Sequence, residues 1–261
     1  ITGAHGFVGN RLMQDLDDTV AAPSMRGMSE EQIRNMIEKS RADVIIHTAA
    51  ISDVGTCEKD PGASYEANVR LPLFLAKAAK EQKLICFSSD QVYRGCAGEG
   101  PYKEEDASPC NVYGRHKLEM EQKVLDVKPD AVMLRAEWMY DYPTKRSNYL
   151  RMLLNEKQVL TFGKQYRGIT YLREVAENMP KIFMLPGGVY NFGSETKQTM
   201  YDITCEMLHF LKSDRKPEEV PPAHNLWMDC TKAKERGILF SDAKEGLKRC
   251  LKDYHLAKDR E

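Results

Sequence analysis

Thr2-Gly3-Ala4-His5-Gly6-Phe7-Val8-Gly9 decides the fold. Its glycines are spaced G-x-x-G-x-x-G and stand between a short apolar start and a helical pattern over residues 6–17, with Phe7, Leu12 and Leu16 facing inward. Glycines at such a junction let the backbone turn tightly and approach a pyrophosphate, whose charge faces the free N–H groups of the helix N-terminus. They would equally build an ordinary strand-to-helix turn, but the place at the first βα junction favours a dinucleotide site. A strand feeding such a turn ordinarily has several apolar residues, and here only Ile1 and Thr2 precede it. The expectation is a chain trimmed at its start, with further residues missing from the short connection between Leu16 and Thr19.

Downstream the pattern alternates. Residues 19–22 read as a short strand, and Ser29-x-x-Gln32 as a capping box opening a helix with Ile33, Met36 and Ile37 on its apolar stripe. Residues 43–47, 84–88 and 131–135 are short apolar runs of the kind buried on both faces of a parallel sheet. Helices are expected over 63–81 and 111–126. This alternation predicts an α/β fold, a doubly wound parallel sheet of the Rossmann type with helices on both faces. Helices dominate after Tyr140, with one strand returning at 188–192. The expected division is a dinucleotide-binding domain over residues 1–140, completed by that strand, and a smaller C-terminal substrate lobe over 141–261.

Composition excludes several classes. With 42% hydrophobic and 30% charged residues over 261 positions, the chain is not disordered. No apolar run reaches the ~18 residues of a membrane span, and no signal-peptide pattern opens the chain. A net charge of −1 argues against an electrostatic nucleic-acid binder. Seven scattered cysteines without C-x-x-C give neither a disulfide framework nor a zinc site, so no metal is expected and a reducing cytoplasm is the expected location.

Three further motifs carry chemistry. His47-Thr48-Ala49-Ala50 ends a strand in small residues, against which a ring or ribose can lie; close helix–sheet packing is the plainer alternative. Tyr113-Gly-Arg-His-Lys117 puts a phenol and an ammonium on one helix face. The cation is expected to draw the phenol below its usual value of about 10. Such a tyrosine gives a proton to a carbonyl oxygen or takes one from an alcohol, and the lysine can also bond a ribose. A second match, Tyr254 to Lys258, follows no strand and reads as a solvated helix face. Phe87-Ser88-Ser89-Asp90 ends a buried strand, where a serine can hold a substrate oxygen beside the phenol or merely satisfy the backbone. The order of the motifs favours the first reading.

T-G-x-x-G-x-x-G, H-x-A-A, S-S-D-x-V-Y, P-Y-x-E-x-D, N-V-Y-G-x-x-K and L-R-x-x-W-x-Y occur in that order. Together they resemble the extended short-chain dehydrogenase/reductases, most closely the dTDP-4-dehydrorhamnose reductase family. The resemblance implies hydride transfer from a nicotinamide cofactor to the 4-keto group of a nucleotide sugar. Carried over by matching positions, it implies Ser89, Tyr113 and Lys117 as the catalytic triad. Gly3, Gly6, Phe7, Val8, Ala49 and Ala50 would line the cofactor, together with Tyr113 and Lys117, and Asp90 and Trp138 would contact substrate. Trp138 reads equally well as a core residue. A homodimer is the assembly the family suggests.

The chain departs from the family at Ser89, where threonine is usual, and at Gln91, where an aromatic is usual. Residues 164–168 match only loosely, and Pro221-Pro222 lacks the usual Arg-Pro pair. Glu137, before Trp138, would as a carboxylate disfavour an anionic ligand. Two alternatives therefore stay open: a sugar-nucleotide epimerase or dehydratase using the same triad, and a non-catalytic cofactor-binding regulatory subunit. Gln91 argues against a dehydratase, and the intact triad against the subunit. Residues 22–26, Ala-Pro-Ser-Met-Arg, hold no acid to select NAD. Ser24 and Arg26 can instead take a 2′-phosphate, so NADP is expected over NAD, with Arg26 as a solvated loop cation the plainer reading.

Overall fold

A computed structural model describes residues 1–144 and 146–256. The glycine turn leads into α1 (Phe7–Asp15), whose N-cap Gly6 supplies no side-chain cap. α2 (Glu30–Ser40) opens on the expected capping box, with Ser29 Oγ accepting from Gln32 N at 3.2 Å and Gln32 Oε1 from Ser29 N at 2.8 Å. β1 (Val44–His47) and α3 (Val54–Lys59) follow. The helix expected over 63–81 is three pieces: α4 (Pro61–Tyr65), a wider π turn over Glu66–Arg70, and α5 (Leu71–Ala78). Pro72 accounts for the break, since it has no N–H to return to the carbonyl four residues earlier.

β2 (Lys83–Ser89), α6 (Val112–Val127) and β3 (Val132–Ala136) stand where the sequence places them. After them come β4 (Trp138–Tyr140), α7 (Tyr149–Leu154), β5 (Thr161–Phe162), β6 (Ile169–Tyr171) and α8 (Leu172–Phe183). β7 (Gly188–Phe192), α9 (Met200–Phe210), β8 (Glu218–Glu219), α10 (Thr231–Lys234) and α11 (Ala243–Asp253) complete the described chain.

β1, β2, β3 and β7 lie side by side in that order and run parallel. Thr2 extends this sheet through a bridge to His47. Residues 19–22 are not a strand. They are tied to residue 1 by two hydrogen bonds, Ile1 N to Val20 O at 2.7 Å and Ala22 N to Ile1 O at 2.9 Å.

Alternate residues of the strands face opposite layers. Ile85, Phe87 and Leu134 pack with Leu12 of α1, Val175 and Met179 of α8, and Phe192. Leu84, Cys86 and Met133 pack with Ile33, Leu75 and Val124 on the other face. Both faces are thus covered, which is why these strands read as continuous apolar runs. A separate cluster built on Tyr140, Tyr149, Phe162, Met207 and Leu247 joins the C-terminal elements. Among the described residues no helix is long and apolar enough to cross a membrane.

Candidate active site

Because the four strands run parallel, their carboxyl ends open on one edge, where open α/β sheets bind ligands. A cleft of about 660 Å³ lies there. Gly3, Gly6, Phe7, Val8, Ala49 and Ala50 line it together with Ser89, Asp90, Tyr113, Lys117 and Trp138. Residues read separately from four motifs therefore line one cleft. Ser24 and Arg26 are exposed and stand outside that lining.

The glycine turn has no room for side chains. Gly3 takes φ +70°, and a Cβ on it would fall 2.7 Å from Ala49 N; one on Gly9 would fall 2.2 Å from Gly3 O. The strand end at Ala49 and the turn are thus in backbone contact, and the first N–H groups of α1 carry no side-chain cap. Backbone donors at a bare helix N-terminus fit a dinucleotide pyrophosphate. Thr48 Oγ1 secures the turn by donating to Thr2 O at 2.7 Å.

Asn111 caps α6 by accepting from Gly114 N at 2.7 Å, which sets Tyr113 in the first turn with Lys117 one turn below. Lys117 Nζ donates to Phe87 O at 2.8 Å and lies 5.8 Å from the centre of the Tyr113 ring. The expected lowering of the Tyr113 pKa does not occur. Burial raises it above its ordinary value, opposed by the neighbouring Ser89 hydroxyl and by Arg146. Desolvation of a phenolate among Cys57, Val112, Ile51 and Val54 outweighs the cation. Burial also brings Lys117 down to about 8.

Asp90, implied as a substrate contact, is 2% exposed and already engaged. Its Oδ1 accepts from Ser89 Oγ at 3.1 Å, and its Oδ2 accepts from Arg167 Nε at 3.1 Å and Nη2 at 2.9 Å. The Arg167 guanidinium lies 5.3 Å from the Trp138 ring. Arg146 also lines the cleft, bonded to Ser52 Oγ at 2.9 Å and 5.9 Å from the Phe7 ring. Neither arginine was legible as a site residue. Each approaches the cleft from a segment distant in sequence, and only the departure at 164–168 marked the place of Arg167.

Glu137 is not the ionised carboxylate that was expected to disfavour an anionic ligand. It is buried, and its Oε1 accepts from Thr170 Oγ1 at 2.5 Å and Ser194 N at 2.6 Å. Burial pushes its pKa up to about 8, helped by Asp90 and opposed by Thr170, Ser194 and Arg167. It is therefore mostly protonated at neutral pH and leaves the cleft open to an anion. Tyr254 is not a solvated residue either: its hydroxyl accepts from Arg11 Nη1 at 2.6 Å. Lys258 lies outside the described residues. His116 faces Ser64 Oγ at 2.8 Å, away from the cleft, and His5 is exposed.

The model of a family described as RmlD substrate binding domain matches residues 1–256. The chain belongs to this family. It is 28% identical over 240 residues to a dTDP-4-dehydrorhamnose reductase of Aggregatibacter actinomycetemcomitans, covering 85% of this chain and 81% of that protein. It is also 28% identical over 231 residues to methionine adenosyltransferase 2 subunit beta of Danio rerio, covering 78% of this chain and 71% of that one. The fold superimposes on the crystal structure of a dTDP-4-dehydrorhamnose reductase from Bacillus anthracis in complex with NADP. That match has a TM-score of 0.85 at 21% identity and covers 97% of this chain and 96% of the other. The doubly wound fold expected from the sequence is the fold of this family.

Proposed function

We propose that this RmlD-family chain is an NADPH-dependent reductase of a dTDP-linked 4-keto sugar. One observation carries the reading: the glycine turn and the Ser89–Tyr113–Lys117 set line the same cleft at the carboxyl edge of the sheet. A nicotinamide cofactor bound in the turn would supply the hydride. Gly3, Gly6, Phe7 and Val8 would hold its pyrophosphate, with Ala49 and Ala50 against its flat groups. Ser89 orients the substrate carbonyl. Tyr113, whose raised pKa keeps it protonated, gives its proton to the carbonyl oxygen as negative charge develops there. Lys117 holds the region between phenol and ribose positively charged. The reading places the sugar beside Trp138, where β4 pairs with β6 of the proposed C-terminal lobe over residues 141–261.

Loss of absorbance at 340 nm with NADPH and a panel of dTDP-4-keto sugars tests the proposal. Tyr113→Phe should cut kcat about 100- to 10,000-fold while leaving NADPH affinity within a few-fold. Tyr254→Phe should leave kcat unchanged; equal damage by the two would overturn the assignment of the acid. The similarity to methionine adenosyltransferase 2 subunit beta favours a second reading, a cofactor-binding subunit of another enzyme. NADPH binding without oxidation across the whole panel would select it.

A further inference from the structure

Resting on the reading of the glycine turn as a dinucleotide site, we infer that Arg146 is a further anchor for the cofactor's diphosphate. The turn itself offers only backbone, and the cation reaches it from the segment between β4 and α7, 94 positions beyond Ser52. Arg146 Nη2 donates to Ser52 Oγ at 2.9 Å, and the guanidinium lies 5.9 Å from the Phe7 ring. Phe7 follows Gly6 as the first residue of α1, and Ser52 stands two residues beyond Ala50. Arg146 therefore touches both segments that meet at the turn, where a Cβ on Gly3 would fall 2.7 Å from Ala49 N. Its charge is felt at the other end of the cleft too: burial raises the Tyr113 pKa, and Arg146 is among the groups that oppose the rise. A dinucleotide running from the turn to the acid would pass this guanidinium.

The surroundings leave the cation available to an anion. Ser52 is uncharged, and among the described residues no carboxylate forms an ion pair with Arg146. Asp53, the next residue, spends its Oδ1 on Thr56 N at 2.7 Å and Thr56 Oγ1 at 2.6 Å as the N-cap of α3. A guanidinium steadied by one neutral hydroxyl keeps enough N–H donors for two oxygens of a phosphate. The backbone behind it is held in place. Arg146 N donates to Thr144 Oγ1 at 3.1 Å. Asn148, 2% exposed, donates from Nδ2 to Asp141 O and to Arg146 O, both at 3.1 Å, and caps α7 by accepting from Arg151 N at 3.3 Å. The ligand's chemistry follows from the place. Ribose, adenine and the reduced nicotinamide carry no charge. The diphosphate does, and the bare N–H groups at the start of α1 already draw it to the turn.

The test measures binding of NADPH, NADH and ADP-ribose to the whole chain by calorimetry. NADPH and NADH differ only in the 2′-phosphate, and ADP-ribose keeps the diphosphate without the nicotinamide. Arg146→Gln should weaken all three by a common factor of about 5- to 50-fold, the loss expected for charge-assisted hydrogen bonds at an exposed side chain. Arg146→Lys keeps the charge without the planar fork and should lose less, about 2- to 10-fold. Both ligand-free variants should melt within about 2 °C of the parent, because the residue is exposed and packs into no core. Dinucleotide affinities within about twofold of the parent in Arg146→Gln, a loss confined to NADPH, or ADP-ribose bound equally by parent and variant or by neither, would overturn the proposal. So would a weakening that appears only together with a larger fall in melting temperature. A parent that binds neither NADPH nor NADH would instead overturn the dinucleotide reading on which the proposal rests.

Discussion

Glu121→Ala should be among the most damaging substitutions outside the cleft. Glu121 follows Tyr113 and Lys117 on the same stripe of α6, and its carboxylate accepts from Arg135 Nε at 3.0 Å and Nη2 at 2.7 Å. The Ser88 hydroxyl donates to it as well. The two side chains are 2% and 3% exposed. Removing the carboxylate leaves Arg135 with Tyr93 Oη at 2.7 Å and Glu104 O at 2.6 Å, and no counter-charge. An ion stripped of its partner in such burial costs about 3–5 kcal/mol. At roughly 2–4 °C per kcal/mol for a chain of this size, the melting temperature should fall by about 6–20 °C. Urea unfolding at pH 7 measures the cost directly. The double variant Glu121→Leu/Arg135→Met should recover most of it, because it removes the stranded charge as well. A single variant within 1 kcal/mol of the parent, or a double variant no better than the single, would refute this reasoning.

Glu137 titrates near 8 when folded against an ordinary 4.5, so the folded protein holds its proton more tightly than the unfolded chain. Its contribution is complete below pH 4.5 and is lost as pH rises to about 8; urea midpoints at pH 5.5, 7 and 8.5 should show a downward slope that Glu137→Gln flattens. Gly168→Ala would put its Cβ 1.9 Å from Glu137 Oε2 and 2.3 Å from Ser194 O, and should abolish soluble folded protein or cost more than ~3 kcal/mol. Gly55→Ala in α3 meets nothing closer than Asp53 Oδ1 at 3.6 Å and should be neutral or stabilising by up to ~1 kcal/mol in the same melts. Arg26→Ala should lower the ratio of kcat/KM for NADPH over NADH; an unchanged ratio, or a parent that prefers NADH, would remove Arg26 from the cofactor site.

The sheet was legible because burial on both faces writes itself into the strands as unbroken apolar runs, and Ser29 with Gln32 marked a helix start by local chemistry alone. What depended on partners was not. Residues 19–22 have strand composition but form no ladder, and the break near Arg70 turns on a hydrogen bond that Pro72 cannot make. The candidate triad was legible through its motifs, yet the sign of the Tyr113 shift was misread, because four residues of spacing show a cation and do not show burial. Arg167 had no local signature. Its meaning comes from Asp90, 77 positions away, which the fold brings against it.

The most direct test of the account is the fate of the hydride. The protein is given a dTDP-4-keto sugar and NADPH deuterated at nicotinamide C4, with each face labelled in turn, and the sugar product is read by mass spectrometry and NMR. The account predicts one deuterium at sugar C4 from one of the two labels, and none when Tyr113→Phe has stopped turnover. Product without label at C4 from either cofactor, or label retained on the cofactor while the sugar is unchanged, would contradict it.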